Sequence, residues 1–114
     1  MGRARVLVTG ATGFVPANLV ALLVEQGHEV VALHRGELDA RMVEAMRGAE
    51  DAPITYVQGD VRDRFLVAGL FREYAPTHVV HAAAVTSTPE LERDQPRLIV
   101  ETNELSTLTM LAES

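Results

Sequence analysis

Two glycines, Gly10 and Gly13, carry the first chemistry legible in this chain. In Val6-Leu7-Val8-Thr9-Gly10-Ala11-Thr12-Gly13-Phe14-Val15-Pro16 an apolar strand runs into a glycine turn that opens a helix, the local arrangement in which a backbone cradles a dinucleotide pyrophosphate. Gly10 can take the tight turn without a Cβ penalty, and Gly13 lets the backbone approach a phosphate closely. Thr12 lies inside the same turn. The N–H groups of Phe14 and Val15, at the start of the helix, have no intrahelical partner and attract negative charge. A strand can also pass into a helix through glycines with no ligand involved, so the rest of the chain must decide.

Thr9-Gly10-Ala11-Thr12-Gly13-Phe14-Val15 resembles the Thr-Gly-x-x-Gly-Phe-Ile/Val signature of the extended short-chain dehydrogenase/reductases, which include NAD(P)-dependent sugar epimerases, dehydratases and related reductases. Three further segments fall in that family's order and spacing: Gly27-His28-Glu29-Val30-Val31-Ala32-Leu33, Gly59-Asp60-Val61-Arg62-Asp63, and His78-Val79-Val80-His81-Ala82-Ala83-Ala84. The resemblance implies that Asp60 and Val61 meet the adenine, and that Ala82, Ala83 and Ala84 line the nicotinamide ribose and pyrophosphate. It also implies that Thr86 and Ser87 lie where a substrate is approached, although hydroxyls in a turn also cap backbone. Pro16 stands where the family has a third glycine; it suits a first helical turn but is bulkier. NAD-preferring relatives carry an acidic residue after the second strand, where this chain has His34-Arg35-Gly36. The Arg35 guanidinium suits a 2′-phosphate, so NADP is favoured over NAD as cofactor. His81 reads as structural, as does Asn103, which matches the family's Asn-Val-x-Gly-Thr segment except that Glu104 and Ser106 replace Val and Gly.

The family's catalytic Tyr and Lys have no counterpart here. Tyr56 and Tyr74 precede the required region, and all ten basic residues are Arg. No catalytic residue is therefore assigned, and residues 1–114 read as one NAD(P)-binding Rossmann domain, truncated before the Tyr-x-x-x-Lys region. A small-molecule substrate, acted on by hydride transfer, belongs to the parent enzyme. The alternative is a non-catalytic dinucleotide-sensing or interaction module on the same fold.

Composition bounds these readings. A chain of 114 residues with 47% hydrophobic content suffices for one domain with a core. The formal charge of −6 and the scattered arginines argue against a nucleic-acid partner. Cysteine is absent, which excludes thiolate chemistry and fits a cytoplasmic setting. No residue set at metal-ligand spacing surrounds His81, and no apolar run approaches the length of a membrane span.

The elements that must position these residues follow from periodicity. Strand-like runs at Val6–Val8, Val30–Leu33, Ile54–Val57 and Val79–His81 alternate with helical patterns, which makes a parallel α/β sheet. With the resemblance, the fold class is α/β, a doubly wound Rossmann-like parallel sheet, incomplete, of about four strands with flanking helices. The first helix is expected over Val15–Gln26 with Leu19, Leu22 and Leu23 on its core stripe, the second over Leu38–Arg47, and the third over Asp63–Tyr74 with Leu66, Leu70 and Phe71 inward. A loop from Val85 to Pro96 is expected to lead into a long helix over Arg97–Ala112. The open edge of Val79-Val80, together with Leu98, Leu105, Leu108 and Leu111 on that helix, predicts self-association.

Overall fold

The computed structural model describes residues 3–38, 40–47, 54–83 and 88–113. Strand β1 (Arg5–Thr9) passes through the glycine turn into α1 (Phe14–Glu25), which is followed by β2 (Glu29–His34), α2 (Ala40–Arg47) and β3 (Ile54–Gln58). Then come α3 (Arg64–Tyr74), β4 (His78–His81), α4 (Pro89–Asp94), α5 (Pro96–Val100), a π-helical turn (Glu101–Leu105) and α6 (Ser106–Glu113). All pairings are parallel and the strand order is β3-β2-β1-β4. The chain thus winds outward from β1 to β3, then crosses back to lay β4 on the other side of β1, and this reversal opens a crevice at the carboxyl ends of β1 and β4.

Both faces of the sheet are covered, as the near-continuous apolar runs of β1 and β2 require. Val6, Val8, Val30 and Ala32 point to one side and pack with Val20 and Val24 of α1. Leu7, Val31 and Leu33 alternate to the other, where Val67 and Leu70 of α3 and Met110 of α6 cover them. The α/β doubly wound expectation is borne out.

Three expectations about helices are corrected. On α1 the buried residues are Val20 and Val24, whereas Leu22 is half exposed and Leu19 and Leu23 are only partly covered. That helix is apolar almost all round, so spacing alone could not choose its inner face. The stretch read as a loop before Pro96 holds α4: Thr88 caps it through Leu91 N–H, and Pro89 occupies the first turn, where its missing N–H costs nothing. The long helix, expected from about Arg97, begins at Pro96 and is broken by the π turn. Its inward side is Thr102, Ser106 and Met110, while Leu105, Leu108 and Leu111 are exposed.

Helix α3 matches its expected bounds apart from Asp63, which is the N-cap, its carboxylate accepting from Phe65 and Leu66 N–H. β4 is an edge of the described sheet. No described helix is long and apolar enough to cross a membrane.

Candidate functional site

Gly10 has φ +63°, and a Cβ built on it would lie 2.8 Å from both Cα and N of Ala83. Glycine is therefore required twice over, by conformation and by the backbone pressed against it across the crevice. Gly13 is the N-cap of α1 with ordinary extended geometry, and its N–H bonds the Gly10 carbonyl at 3.0 Å. A Cβ there would meet Pro16 Cγ at 3.2 Å, so Pro16 fills the space beside Gly13. Intrahelical bonding of α1 starts with Ala17 N–H on the Gly13 carbonyl. Because Pro16 has no N–H, the donors of that first turn are those of Phe14 and Val15.

Facing this turn, the end of β4 is held by a side chain of β1. The buried Thr9 hydroxyl accepts from Ala82 N–H at 3.0 Å and Ala83 N–H at 3.1 Å, fixing two small residues as the opposite wall. Thr9 Oγ1 also lies 2.6 Å from His81 Nδ1, and His81 Nε2 lies 3.0 Å from Ser106 Oγ on α6. Burial holds the His81 imidazole below its ordinary value.

At the far end of the cleft stands Asp60. It is not a helix cap, the role that Asp63 takes; its carboxylate is gripped by Arg62 through Nη2 at 2.7 Å, Nε at 3.0 Å and the backbone N–H at 2.9 Å. This hydrogen bonding from Arg62 is the main reason the Asp60 carboxyl lies below its usual range, against the opposing effect of burial. Arg35 approaches the same carboxylate at 3.8 Å, its own side chain 60% exposed, so its guanidinium is loosely tethered. His34 is buried, and its Nδ1–H donates to the Gly36 carbonyl at 2.7 Å.

Together these elements line one cleft of roughly 300 Å³ across the carboxyl ends of the strands. Of the residues expected at a site, Gly10, Thr12, Gly13, Arg35, Asp60, Val61, Ala82 and Ala83 line it. Phe14 and Val15 stand at the start of α1 beside it, Val15 with its side chain turned to solvent. Ala84, Thr86 and Ser87 lie outside the described residues.

Leu33, Gly59, Pro16 and Thr102 complete the lining. Thr102 is the residue that sequence reasoning missed: it is buried, yet its Oγ1 has no hydrogen-bond partner. A buried hydroxyl in that state costs on the order of 1–3 kcal/mol. Its neighbour Asn103 has a counterpart in the family's Asn-Val-x-Gly-Thr segment, whereas no motif in the sequence marks Thr102. Among the described residues no cluster of His, Asp and Glu is arranged to hold a metal.

The model of the NAD dependent epimerase/dehydratase family matches residues 6–114 of this chain. The chain belongs to that family. It is 37% identical over 93 residues to a UDP-glucose 4-epimerase of Mycolicibacterium smegmatis, covering 81% of this chain and 29% of that protein. To a dTDP-4-dehydro-6-deoxy-D-allose reductase of Streptomyces bikiniensis it is 34% identical over 101 residues, or 87% of this chain and 30% of the relative. Its fold superimposes on a UDP-glucose-4-epimerase from Stenotrophomonas maltophila, solved with bound NAD and formylated UDP-arabinopyranose. The TM-score is 0.80 at 34% identity, and the match covers 97% of this chain and 33% of the other. The chain therefore spans about a quarter to a third of the length of the relatives it matches.

Proposed function

We propose that this chain is the dinucleotide-binding part of an NAD(P)-dependent epimerase, dehydratase or reductase acting on a nucleotide sugar. The observation that carries the reading is the meeting of three things in one crevice at the strand-order reversal: the Gly10 turn, the Ala82-Ala83 wall and the Asp60 carboxylate. In this reading the pyrophosphate lies over the Gly10–Gly13 turn with Thr12 and the N–H groups of Phe14 and Val15 as donors. Adenine meets Asp60 and Val61, while Ala82, Ala83 and Ala84 leave room for the nicotinamide half. The substrate role expected of Thr86 and Ser87 belongs to the same proposal. The relatives named above support the chemistry: one was solved with NAD, and two act on nucleotide-linked sugars by name.

When bound, the nicotinamide supplies a hydride acceptor and donor; the residues of this chain bind and orient it. In this reading residues 1–114 form the cofactor domain. Arg35, loosely held and at the cleft edge, selects NADP(H) by pairing with a 2′-phosphate. The exposed leucines of α6 and the open edge of β4 give the chain a surface for self-association.

Titration calorimetry of the folded chain with NAD, NADH and NADPH tests the central claim. Weak saturable binding is expected; no binding of any of them at millimolar concentration by a sample shown to be folded defeats it.

A further inference from the structure

The contacts around His81 fix where its proton must be. An sp³ hydroxyl oxygen accepts two hydrogen bonds and donates one, and a carbonyl only accepts. Thr9 Oγ1 already accepts from Ala82 and Ala83 N–H, so toward His81 Nδ1, 2.6 Å away, it is the donor. Nδ1 is then unprotonated, the imidazole is neutral, and its proton sits on Nε2, which donates to Ser106 Oγ at 3.0 Å. The Ser106 hydroxyl in turn donates to the Thr102 carbonyl in the π turn. Four residues on four elements thus form a one-way chain from the Ala82-Ala83 wall to the π turn whose Thr102 lines the cleft. π turns of this kind recur at functional sites.

We propose that His81 is a positioning residue that makes dinucleotide affinity depend on its protonation, because only the neutral, Nε2–H form holds both the Ala82-Ala83 wall and the Thr102 turn against the cleft. The proposal rests on the dinucleotide reading above. A proton added to Nδ1 would point at a Thr9 oxygen with no lone pair left, so a bond to Ala82 or Ala83 must break or the ring must withdraw. His34 differs in geometry: its Nδ1 donates to the Gly36 carbonyl.

The groups that meet His81 are neutral, Thr9 from β1 and Ser106 from α6. Charges on the surrounding elements are engaged elsewhere: Glu101 with Arg62 and Arg97, Arg5 with Glu29 at the opposite end of the sheet, and Asp60 with Arg62. His78 contacts Thr77 at the far end of β4, and Arg64, Arg72 and Glu73 of α3 are exposed. Burial sets the direction of the imidazole's shift, downward, so loss of affinity begins below the ordinary histidine range.

NAD titrations of the full chain from about pH 8 to about pH 5, with circular dichroism confirming the fold at each point, test this. Affinity should be flat above neutrality and then fall about tenfold per pH unit below the His81 pKa, the slope of a single proton. In His81→Gln, which can still donate to Ser106 but does not titrate, binding should be weaker throughout and the slope gone. Nitrogen-15 shifts of the wild-type imidazole at neutral pH should show the Nε2–H tautomer, a readout independent of that variant's folding. Affinity that is pH-independent in a folded wild type, a slope that persists in His81→Gln, or an Nδ1–H tautomer would each overturn the proposal. Absence of NAD binding at every pH overturns the dinucleotide reading instead, and this coupling with it.

Discussion

The two walls of the cleft are built on opposite principles. The β1–α1 turn works by what its residues lack: Gly10 has no side chain to strike Ala83, Gly13 leaves the backbone bare, and the donors are main-chain N–H groups. The wall formed by β4 and the π turn works by what side chains supply, a hydroxyl–imidazole–hydroxyl chain from Thr9 through His81 to Ser106. The first is specified within one short stretch of sequence. The second joins residues 25 and 72 positions apart and exists only once the sheet and the last helix are assembled.

The comparison breaks most sharply at Gly10. Gly10→Ala forces a Cβ into backbone and a non-glycine residue into positive φ, so dinucleotide binding should disappear in calorimetry and stability should drop by about 2 kcal/mol in urea titrations. Gly13→Val, at an ordinary φ, should also abolish binding by covering the phosphate approach, while costing about 1 kcal/mol of stability through the tight approach to Pro16 and the poorer N-cap. The two glycines are thereby separated into one needed for fold and site and one needed for the site.

The opposite wall is probed by Thr9→Val. The change keeps shape but strands Ala82 N–H and Ala83 N–H and leaves His81 Nδ1 unmet, which should cost about 3 kcal/mol. Hydrogen exchange should show Ala82 and Ala83 losing protection first. If they stay protected, the wall does not depend on Thr9.

Asp60 lies between the walls, and its effect should be smaller. Asp60→Asn should weaken dinucleotide binding about tenfold, the worth of one charge-assisted hydrogen bond. Its folded carboxyl is depressed below 3.8 by Arg62. The stability it contributes is therefore complete above that ordinary value and is lost as pH falls through the depressed one. Acid unfolding of Asp60→Asn should show a shallower limb in that window. Arg35→Ala should leave stability unchanged and alter only the ratio of NADPH to NADH affinity; an unchanged ratio removes Arg35 from the site.

The smallest effect is a control. Asp63→Ala removes the cap of α3 and should cost about 1 kcal/mol with no change in binding, although Asp63 lies only three residues from Asp60.

Much of the fold was legible because its signals are local. The continuous apolar runs of β1 and β2, the glycine turn and the spacing of Leu66 and Leu70 each report an element without reference to the rest of the chain. The inner face of α1 was not legible, since Leu19, Val20, Leu22, Leu23 and Val24 offer an apolar surface in every direction. Nor was α4, because Pro89 and Pro96 read as loop punctuation when each in fact opens a helix.

For the site the division is the same. The chain's own order of residues determines Gly10, Asp60 and the small residues after β4, because the turn geometry and the steric limit they serve are properties of a few consecutive residues. It equally determines the absence of lysine. That Thr102 is an acceptor and donor without a partner, that Ser106 faces inward and Leu108 outward, and that His81 carries its proton on Nε2 were decided only by tertiary structure. Burial and hydrogen-bond direction depend on which elements meet, and the helix bearing Thr102 and Ser106 meets β4 only because the chain reverses its winding at β1.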